Sequence, residues 1–315
     1  MKTLTDNRSF ELAADIYRKR VAAGTEILNL GLVEIDYRAC PVCDFKEGKE
    51  FEVFGWLCKE CKRCKTSYSS LVPNEKGFKD YYSMISNLNS KLWKNSRETQ
   101  FHDKFKEIEQ IRKQFNVERT VELGCGSGEF VAFLEQKGLR SIGVDIDKKL
   151  VNEGKENGAS LICGDILSCS IPSSDLYLCY EIIEHLLEPK SFLKRIYNEM
   201  RQGSFLIITT PNADGLDNKK IPPEQKDRFI ASALFPPYHL NAFSLKSLYH
   251  LVLSLGFEIF DCSTPGNLDL SLVNHHNNFL EGIELTQNDM FFDLWQETIR
   301  ACNGSGHMQF ILRRP

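Results

Sequence analysis

The sequence predicts an α/β protein in which a seven-stranded sheet carries helices on both faces and a small cysteine-rich module precedes it. From residue 119 onward, short apolar runs alternate with helical stretches. This alternation is typical of a parallel sheet whose strands are joined by right-handed crossovers. Before that point, five of the 11 cysteines fall between Cys40 and Cys64, in a stretch without clear helical or strand periodicity.

Periodicity gives the order of the elements. Apolar residues recur at helical spacing in residues 9–23 and 98–115, so each range is predicted to form a helix. Apolar runs predict seven strands, near residues 119–123, 141–145, 160–163, 175–180, 204–210, 257–262 and 307–313. Helices are predicted near residues 128–137, 148–157, 187–201, 244–255 and 287–301.

The composition excludes several classes of protein. The 315 residues are 42% hydrophobic and 26% charged with a formal net charge of −4, which argues against disorder. The weak negative charge argues against a protein that coats DNA or a membrane surface. No apolar run approaches the roughly 18 residues of a membrane span, and charged residues interrupt the N-terminal stretch where a secretion signal would lie. We therefore expect a cytoplasmic protein, in which clustered cysteines indicate a metal site rather than disulfides.

The cysteine pattern predicts a structural Zn²⁺ site. Cys40-Pro-Val-Cys43 is followed by Cys58-Lys-Glu-Cys61-Lys-Arg-Cys64, and two C-x-x-C pairs at this separation suit tetrahedral zinc. Either Cys58 and Cys61 or Cys61 and Cys64 can form the second pair. We favour Cys61 and Cys64, with Cys58 as the alternative, because the residues after Cys64 resemble the strand that leaves such a knuckle. Four thiolates leave no open position, so the zinc would be structural.

A glycine-rich loop follows the first predicted strand of the large sheet. The segment Thr120-Val-Glu-Leu-Gly-Cys-Gly-Ser-Gly-Glu-Phe130 allows a tight turn that brings backbone N–H groups close to a ligand. A nicotinamide-binding loop prefers G-x-G-x-x-G, whereas the spacing here is G-x-G-x-G. Asp145 ends the second strand, where a carboxylate can accept hydrogen bonds from both ribose hydroxyls. Asp165 ends the third strand, where it can accept a hydrogen bond from an adenine amino group. The alternative is that both acids only cap helices.

These motifs resemble the class I S-adenosylmethionine-dependent methyltransferases, which implies a Rossmann-like sheet. Besides the loop, the matching segments are Gly143-Val-Asp145, Gly164-Asp165, Tyr180-Glu-Ile-Ile-Glu-His-Leu186 and Ile208-Thr-Thr-Pro-Asn212, and the resemblance covers about residues 100–315. The family pattern implies S-adenosyl-L-methionine as cofactor. The residues that it implies for cofactor binding are Glu122, Gly124, Cys125, Gly126, Gly128, Asp145, Ile146, Gly164, Asp165, Ile166, Tyr180 and Glu181.

The resemblance and the cysteines together suggest four parts. Residues 1–36 form an N-terminal helical segment, 37–75 a zinc-ribbon module, 76–117 a helical connector or lid, and 118–315 the methyltransferase domain. The last part is expected to carry insertions near residues 211–243 and 264–306, over the strand ends where open α/β sheets bind ligands. Some sugar-nucleotide C-methyltransferases carry a similar N-terminal zinc module.

Methyl transfer is an in-line displacement, so the protein has to align the reactants, exclude water and, for a hydroxyl acceptor, supply a general base. Glu181, Glu184 and His185 follow the fourth strand, and His239 lies in the proline-rich insertion. We expect His239 to be the base, with His185 second. The alternatives are that Glu184 and His185 cap the next helix or bond to each other, and that His239 only anchors the insertion.

The chain also resembles methyltransferases of polysaccharide and specialised-metabolite biosynthesis, which implies a small-molecule acceptor. We expect the methyl group to go to a hydroxyl of a sugar, nucleotide-sugar or related metabolite, with methylation at carbon as the second choice. One alternative is an RNA methyltransferase that binds its substrate through the zinc ribbon. Glutamates close to the basic residues of the ribbon offset their positive charge, which argues against a nucleic-acid substrate. A further alternative is a quinone or aromatic O-methyltransferase.

Overall fold

The computed structural model of the chain describes residues 7–35, 39–92, 97–216, 233–266 and 290–315. Parts of both predicted insertions lie outside the described residues. The strands are β1 (Val33–Ile35), β2 (Gly48–Val53), β3 (Trp56–Cys61), β4 (Ser67–Ser69), β5 (Leu71–Pro73), β6 (Arg119–Leu123), β7 (Arg140–Asp145), β8 (Leu161–Cys163), β9 (Leu176–Tyr180), β10 (Phe205–Pro211), β11 (Asn241–Ala242), β12 (Glu258–Ser263) and β13 (His307–Arg313). The helices are α1 (Asn7–Asn29), α2 (Glu75–Leu92), α3 (Arg97–Phe115), α4 (Glu129–Gln136), α5 (Lys148–Glu156), α6 (Pro189–Glu199), α7 (Leu245–Ser254) and α8 (Met290–Ala301), with a 3₁₀ turn at Ile183–His185.

The large sheet has seven strands in the order β8-β7-β6-β9-β10-β13-β12. This confirms the predicted α/β fold, and no strand end differs from its predicted position by more than one residue. The prediction of an all-parallel sheet was wrong for one strand, because β13 runs antiparallel to both β10 and β12. Strand β13 follows β12 in the chain and pairs with it, and an antiparallel pair needs no crossover connection. The apolar pattern of a strand does not indicate its direction.

Helices cover both faces of this sheet. The central strand β9 is buried along its whole length, as expected for a strand packed on both sides. Leu178 shares one apolar cluster with Ile108 of α3 and Phe130 of α4. Its neighbour Cys179 belongs to the opposite cluster, with side chains from α6 and α7. The polar residues that follow β6, β7 and β9 therefore meet at one edge of a rigid scaffold.

The N-terminal module is joined to the large domain by backbone pairing. Strands β2, β3 and β4 form an antiparallel meander, and β11, which comes from the segment after β10, completes that sheet as a fourth strand. Asn241 pairs with Tyr68 and Ala242 pairs with Ser67. Strand β4 lies where the residues after Cys64 resemble a strand, whereas β2, β3 and β11 were not predicted; the two residues of β11 are too few to show an alternating pattern. The pairing fixes the position of the segment that carries His239.

The two long N-terminal helices also pack against this junction. Ile27 of α1 and Tyr81 of α2 are buried in one cluster with Trp56 of β3 and Leu234 of the segment that precedes β11. None of the helices in the described ranges combines the length and the apolar character that a membrane crossing requires.

Candidate active site and cysteine cluster

The glycine loop makes a tight turn between β6 and α4. Gly124, Gly126 and Gly128 all have left-handed backbone angles, with φ of 72°, 56° and 69°, which glycine adopts at little cost. A Cβ atom on Gly128 would lie 2.5 Å from the side chain of Leu161. Both the conformation and the close packing therefore require glycine here. The loop remains close to β7, where Val144 O accepts the Gly124 N–H at 2.8 Å.

Glu122 places a buried carboxyl group just before this loop. Its side chain is 8% exposed, and Oε2 has no hydrogen-bond partner among the described residues. Burial raises the pKa of Glu122 to about 7. The hydroxyl of Tyr180 is likewise buried without a partner in the described part of the chain. Unpartnered buried polar atoms are costly, so a ligand with a positive group would satisfy Glu122.

Lys104 is a site residue that the sequence did not reveal. It lies on α3, and its Nζ atom is 3.9 Å from the centre of the Tyr180 ring. Burial lowers its pKa below that of an ordinary lysine, while Glu122 and Glu181 act to raise it. In the sequence Lys104 is one basic residue among many on a polar helix, so its place beside the glycine loop carries no local signal.

The two acids at the ends of β7 and β8 hold backbone N–H groups. Asp145 accepts from Gly126 N at 2.7 Å and from Asp147 N at 2.8 Å. The cap of helix α5 is Asp147 instead, which accepts from the first turn of that helix. Asp165 accepts from Leu167 N at 2.9 Å, and no regular helix follows it. The alternative that Asp145 and Asp165 are helix caps therefore does not describe their contacts.

Other residues implied for cofactor binding lie along the same edge. Ile146, directly after Asp145, is 71% exposed, which is unusual for a large apolar side chain next to a sheet. Gly164 N donates to Asp145 O at 2.9 Å, and this bond brings the Gly164-Asp165-Ile166 turn beside β7. Cys125 is partly buried between the first two glycines. The predicted cofactor residues thus line one continuous edge of the sheet.

A cluster of acids and histidines follows β9. Thr209 Oγ1 donates to Glu181 Oε1 at 2.8 Å, and His307 Nε2 is 3.4 Å from Glu181 Oε2. Burial by itself would raise the pKa of Glu181, but His307 and Thr209 lower it to about 2. Glu184 is 1% exposed and accepts a hydrogen bond from Thr210 Oγ1 at 2.9 Å.

The segment before β11 brings His239 to this cluster. The rings of His185 and His239 are 4.8 Å apart, and His185 Nδ1 is 2.6 Å from Tyr238 O. Leu240 N donates to Glu184 O at 2.7 Å. The structure thus brings all four predicted catalytic residues to one site. Burial lowers the pKa of His185 to about 4, which makes that imidazole a weak proton acceptor at neutral pH.

The cysteines of the N-terminal module form a separate cluster. Sγ atoms of Cys40, Cys43, Cys61 and Cys64 all lie within 4.8 Å of one another. Cys40 and Cys64 are 3.4 Å apart at sulfur, and Cys43 and Cys61 are 3.6 Å apart. A tetrahedral zinc ion with bonds of about 2.3 Å separates its sulfur ligands by about 3.8 Å, so the cluster fits this ion after small shifts of the sulfur atoms. Cys58 lies elsewhere, in the apolar cluster around Trp56, where burial raises its pKa to about 12.

The two C-x-x-C loops have the same backbone geometry. Asp44 and Lys65, each directly after the second cysteine of its loop, have left-handed φ angles of 57° and 63°. Asp44 N donates to Cys40 O and Lys65 N donates to Cys61 O, both at 3.0 Å. Two identical turns that face each other present four thiols to one point.

Comparisons with known proteins place this geometry in a family. Residues 95–261, more than half of the chain, match the family described as methyltransferase domain. A probable S-adenosylmethionine-dependent methyltransferase of Mycolicibacterium smegmatis is 23% identical over 145 residues, which are 45% of this chain and 52% of that protein. A ubiquinone biosynthesis O-methyltransferase of Cupriavidus pinatubonensis is 25% identical over 103 residues, 30% of this chain and 41% of that protein.

A solved structure supports the same assignment at the level of the fold. The crystal structure of a SAM-dependent methyltransferase from Archaeoglobus fulgidus is similar with a TM-score of 0.52 at 20% identity, over 72% of this chain and 99% of that one. The chain spans about half the length, or less, of the two curated relatives described. The family match over residues 95–261 shows that the chain belongs to the methyltransferase domain family.

Proposed function

We propose that this protein transfers a methyl group from S-adenosyl-L-methionine to a hydroxyl group of a small molecule. The observation that supports it most is the buried Glu122 carboxyl group, whose Oε2 has no partner among the described residues, beside a loop of three left-handed glycines. The methionine part of the cofactor carries a positive amino group and a positive sulfur. When bound, the cofactor supplies a methyl group on a good leaving group.

Different residues around the loop would bind different parts of the cofactor. In this proposal Glu122 binds the amino group and Lys104 binds the carboxylate of the methionine part. Asp145 accepts hydrogen bonds from the ribose hydroxyls, and Asp165 accepts one from the adenine amino group. Ile146, which is 71% exposed, would be covered by the adenine ring. This division of roles agrees with the charge and exposure of each side chain.

The acceptor is activated at the cluster of Glu181, Glu184, His185 and His239. Thr210 fixes one oxygen of Glu184, and Tyr238 O fixes one nitrogen of His185, so neither side chain is free to rotate. That His239 is the general base, with His185 second, stays a prediction. The low pKa of His185, about 4, favours His239 of the two.

A small-molecule acceptor is favoured over RNA by the charges of the module. Its lysines face glutamates of the same module, with N–O distances of 3.0 to 3.6 Å for Lys59–Glu50, Lys62–Glu47 and Lys65–Glu60. Phosphate binding requires positive charge that is not already neutralised. We propose a sugar, nucleotide-sugar or related metabolite as acceptor. A phenolic hydroxyl is the second candidate, because a ubiquinone biosynthesis O-methyltransferase is among the relatives.

We also propose that Cys40, Cys43, Cys61 and Cys64 hold a structural Zn²⁺ ion. The sulfur distances and the matched loops support this, and four thiolates bind zinc tightly. The ion would stabilise a small module, because metal binding to a site that exists only in the folded state adds to the free energy of unfolding.

The test has two steps. Calorimetry with S-adenosylhomocysteine, the spent cofactor, is expected to show one site per chain; no binding by folded protein would refute the assignment. Protein and cofactor carrying a labelled methyl group are then incubated with nucleotide-sugars, glycans, phenols and RNA. Mass spectrometry is expected to find the label on an oxygen of a sugar-containing molecule, and label on RNA alone would refute the choice of substrate.

A further inference from the structure

We propose that Glu184, His185 and His239 bind a divalent metal ion of the first transition row. This inference rests on the proposed function and deepens it, because the ion would lie where the acceptor is activated. One ligand atom from each of these three residues lies within 4.8 Å of the other two. Two imidazoles and one carboxylate suit such ions better than Ca²⁺ or Mg²⁺, which prefer oxygen ligands throughout.

The contact between Glu184 and His185 is the first argument for an ion. His185 Nδ1 donates to Tyr238 O, because a carbonyl oxygen can only accept. In the neutral ring, Nε2 then carries a lone pair, and it lies 3.5 Å from Glu184 Oε1. Oε1 is fully buried and has no hydrogen-bond partner among the described residues. A carboxyl oxygen and a ring nitrogen, both atoms that can bind a metal ion, thus lie next to each other in a buried place.

The distance between these two atoms suits a shared ion. At 3.5 Å the nitrogen and oxygen are too far apart for a good hydrogen bond, whose usual length is about 2.7–3.0 Å. A metal ion bonded to each at about 2.1 Å, with an angle between about 90° and 120°, separates them by about 3.0–3.6 Å. The observed separation lies in this range, so an ion fits without movement of either side chain.

The outer contacts of the two ligands are those of a metal site. A histidine that binds a metal commonly donates its other ring N–H to a carbonyl or carboxylate, and a ligating carboxylate is itself hydrogen-bonded. His185 has the first contact, with Tyr238 O, and Glu184 has the second, with Thr210 Oγ1 at 2.9 Å. The next residue after Tyr238 is His239, so one short segment supplies both a third ligand and an outer-shell contact.

A metal ion at this position would favour an oxygen atom as the acceptor of the methyl group. Three protein ligands leave positions for water and for a hydroxyl of the substrate, and a hydroxyl bound to a cation has a lower pKa. The O–H proton passes to solvent, the oxygen forms the bond to the methyl carbon, and the C–S bond breaks with its electron pair on sulfur. In this scheme His239 acts as a metal ligand and a strong general base is not needed.

Mn²⁺ is the probe that separates this site from the cysteine cluster. It is the weakest binder of the first-row series and does not compete with zinc for thiolates. Protein that holds one zinc ion per chain by elemental analysis, enough for the cysteine cluster alone, is titrated with Mn²⁺, and free Mn²⁺ is followed by electron paramagnetic resonance. We expect one site per chain, and Glu184→Gln or His239→Ala is expected to weaken it at least about a hundredfold, since outer-shell partners alone contribute about 10- to 100-fold.

Matched controls are Glu188→Gln and His250→Ala, which change exposed residues of the same types and are expected to leave Mn²⁺ affinity unchanged. S-adenosylhomocysteine binding reports whether each variant is folded, and His239→Ala, at a partly exposed position, serves if Glu184→Gln does not fold. If the wild type binds the nucleoside but no Mn²⁺, or if both variants bind Mn²⁺ as the wild type does, the metal site is refuted and the proposed function is not. If the folded wild type does not bind the nucleoside, the proposed function is refuted.

Discussion

The Glu122 carboxyl group is expected to lose a proton when the cofactor binds. Burial raises its pKa to about 7 in the free protein, so about half of the molecules carry the proton at neutral pH. A positive ligand favours the carboxylate and therefore draws the proton off. The carboxyl group of Glu122 is 8% exposed, so solvent does little to screen the interaction.

The size of the effect follows from the pKa. The ionised fraction rises from about one tenth near pH 6 to about nine tenths near pH 8, so affinity for S-adenosylhomocysteine is expected to increase about tenfold over this range. Proton release on binding is expected to fall from about 0.9 to about 0.1 per site over the same range. Glu122→Gln removes both dependences and weakens binding near pH 8 by at least about tenfold, the value of one charge-assisted hydrogen bond.

Isothermal titration calorimetry in buffers of different ionisation enthalpy measures both quantities. Glu118→Gln is the matched control. Glu118 directly precedes β6, at the end of that strand away from the glycine loop, and it is exposed and pairs with Arg140. A wild-type affinity that is flat between about pH 6 and pH 8, or an equal pH dependence in Glu122→Gln, would contradict the reasoning.

Free protein is expected to show the opposite trend in stability. The pKa of Glu122 in the folded state, about 7, lies above its ordinary value. Over the range between those two values the unfolded chain releases this proton and the folded chain keeps it. Glu122 is therefore expected to lower the free energy of unfolding little at low pH. As the pH rises toward about 7, it lowers this free energy further, by on the order of 3 kcal/mol in total. Urea denaturation of wild type and Glu122→Gln at several pH values measures this difference.

Three further results are expected. Lys104→Met is expected to weaken S-adenosylhomocysteine binding about tenfold or more by calorimetry, whereas Lys106→Met, at an exposed position on the same helix, is expected to leave it unchanged. Cys61→Ser is expected to abolish zinc binding measured by elemental analysis, whereas Cys58→Ala keeps one zinc per chain; zinc lost only from the latter would contradict the assigned ligand set. Burial by itself would raise the pKa of Asp175, but nearby backbone N–H groups and the guanidinium group of Arg119 lower it below its ordinary value. Asp175→Asn is therefore expected to cost about 1–3 kcal/mol in the free energy of unfolding near neutral pH, a difference that shrinks as the wild-type carboxylate is protonated at acid pH.

The large sheet was predictable because its signals are local. Each parallel strand is a short apolar run, and the turn after β6 needs glycine at positions that the chain itself specifies. The direction of β13 was not predictable, since the same apolar run fits either orientation between β10 and β12. The pairing of β11 with β4 was not predictable either, because these strands have only two and three residues and are distant in the chain.

The sequence by itself determined the seven strands, the glycine loop and the first C-x-x-C pair, because each is encoded within a few consecutive residues. Only the tertiary structure decided that Lys104 lies over Tyr180 and that Cys58 lies apart from the other four module cysteines. It also decided that β11 pairs with β4 and so brings His239 to His185. Such contacts join residues far apart in the chain, and they depend on how separate apolar faces pack and on which polar groups can pair once buried.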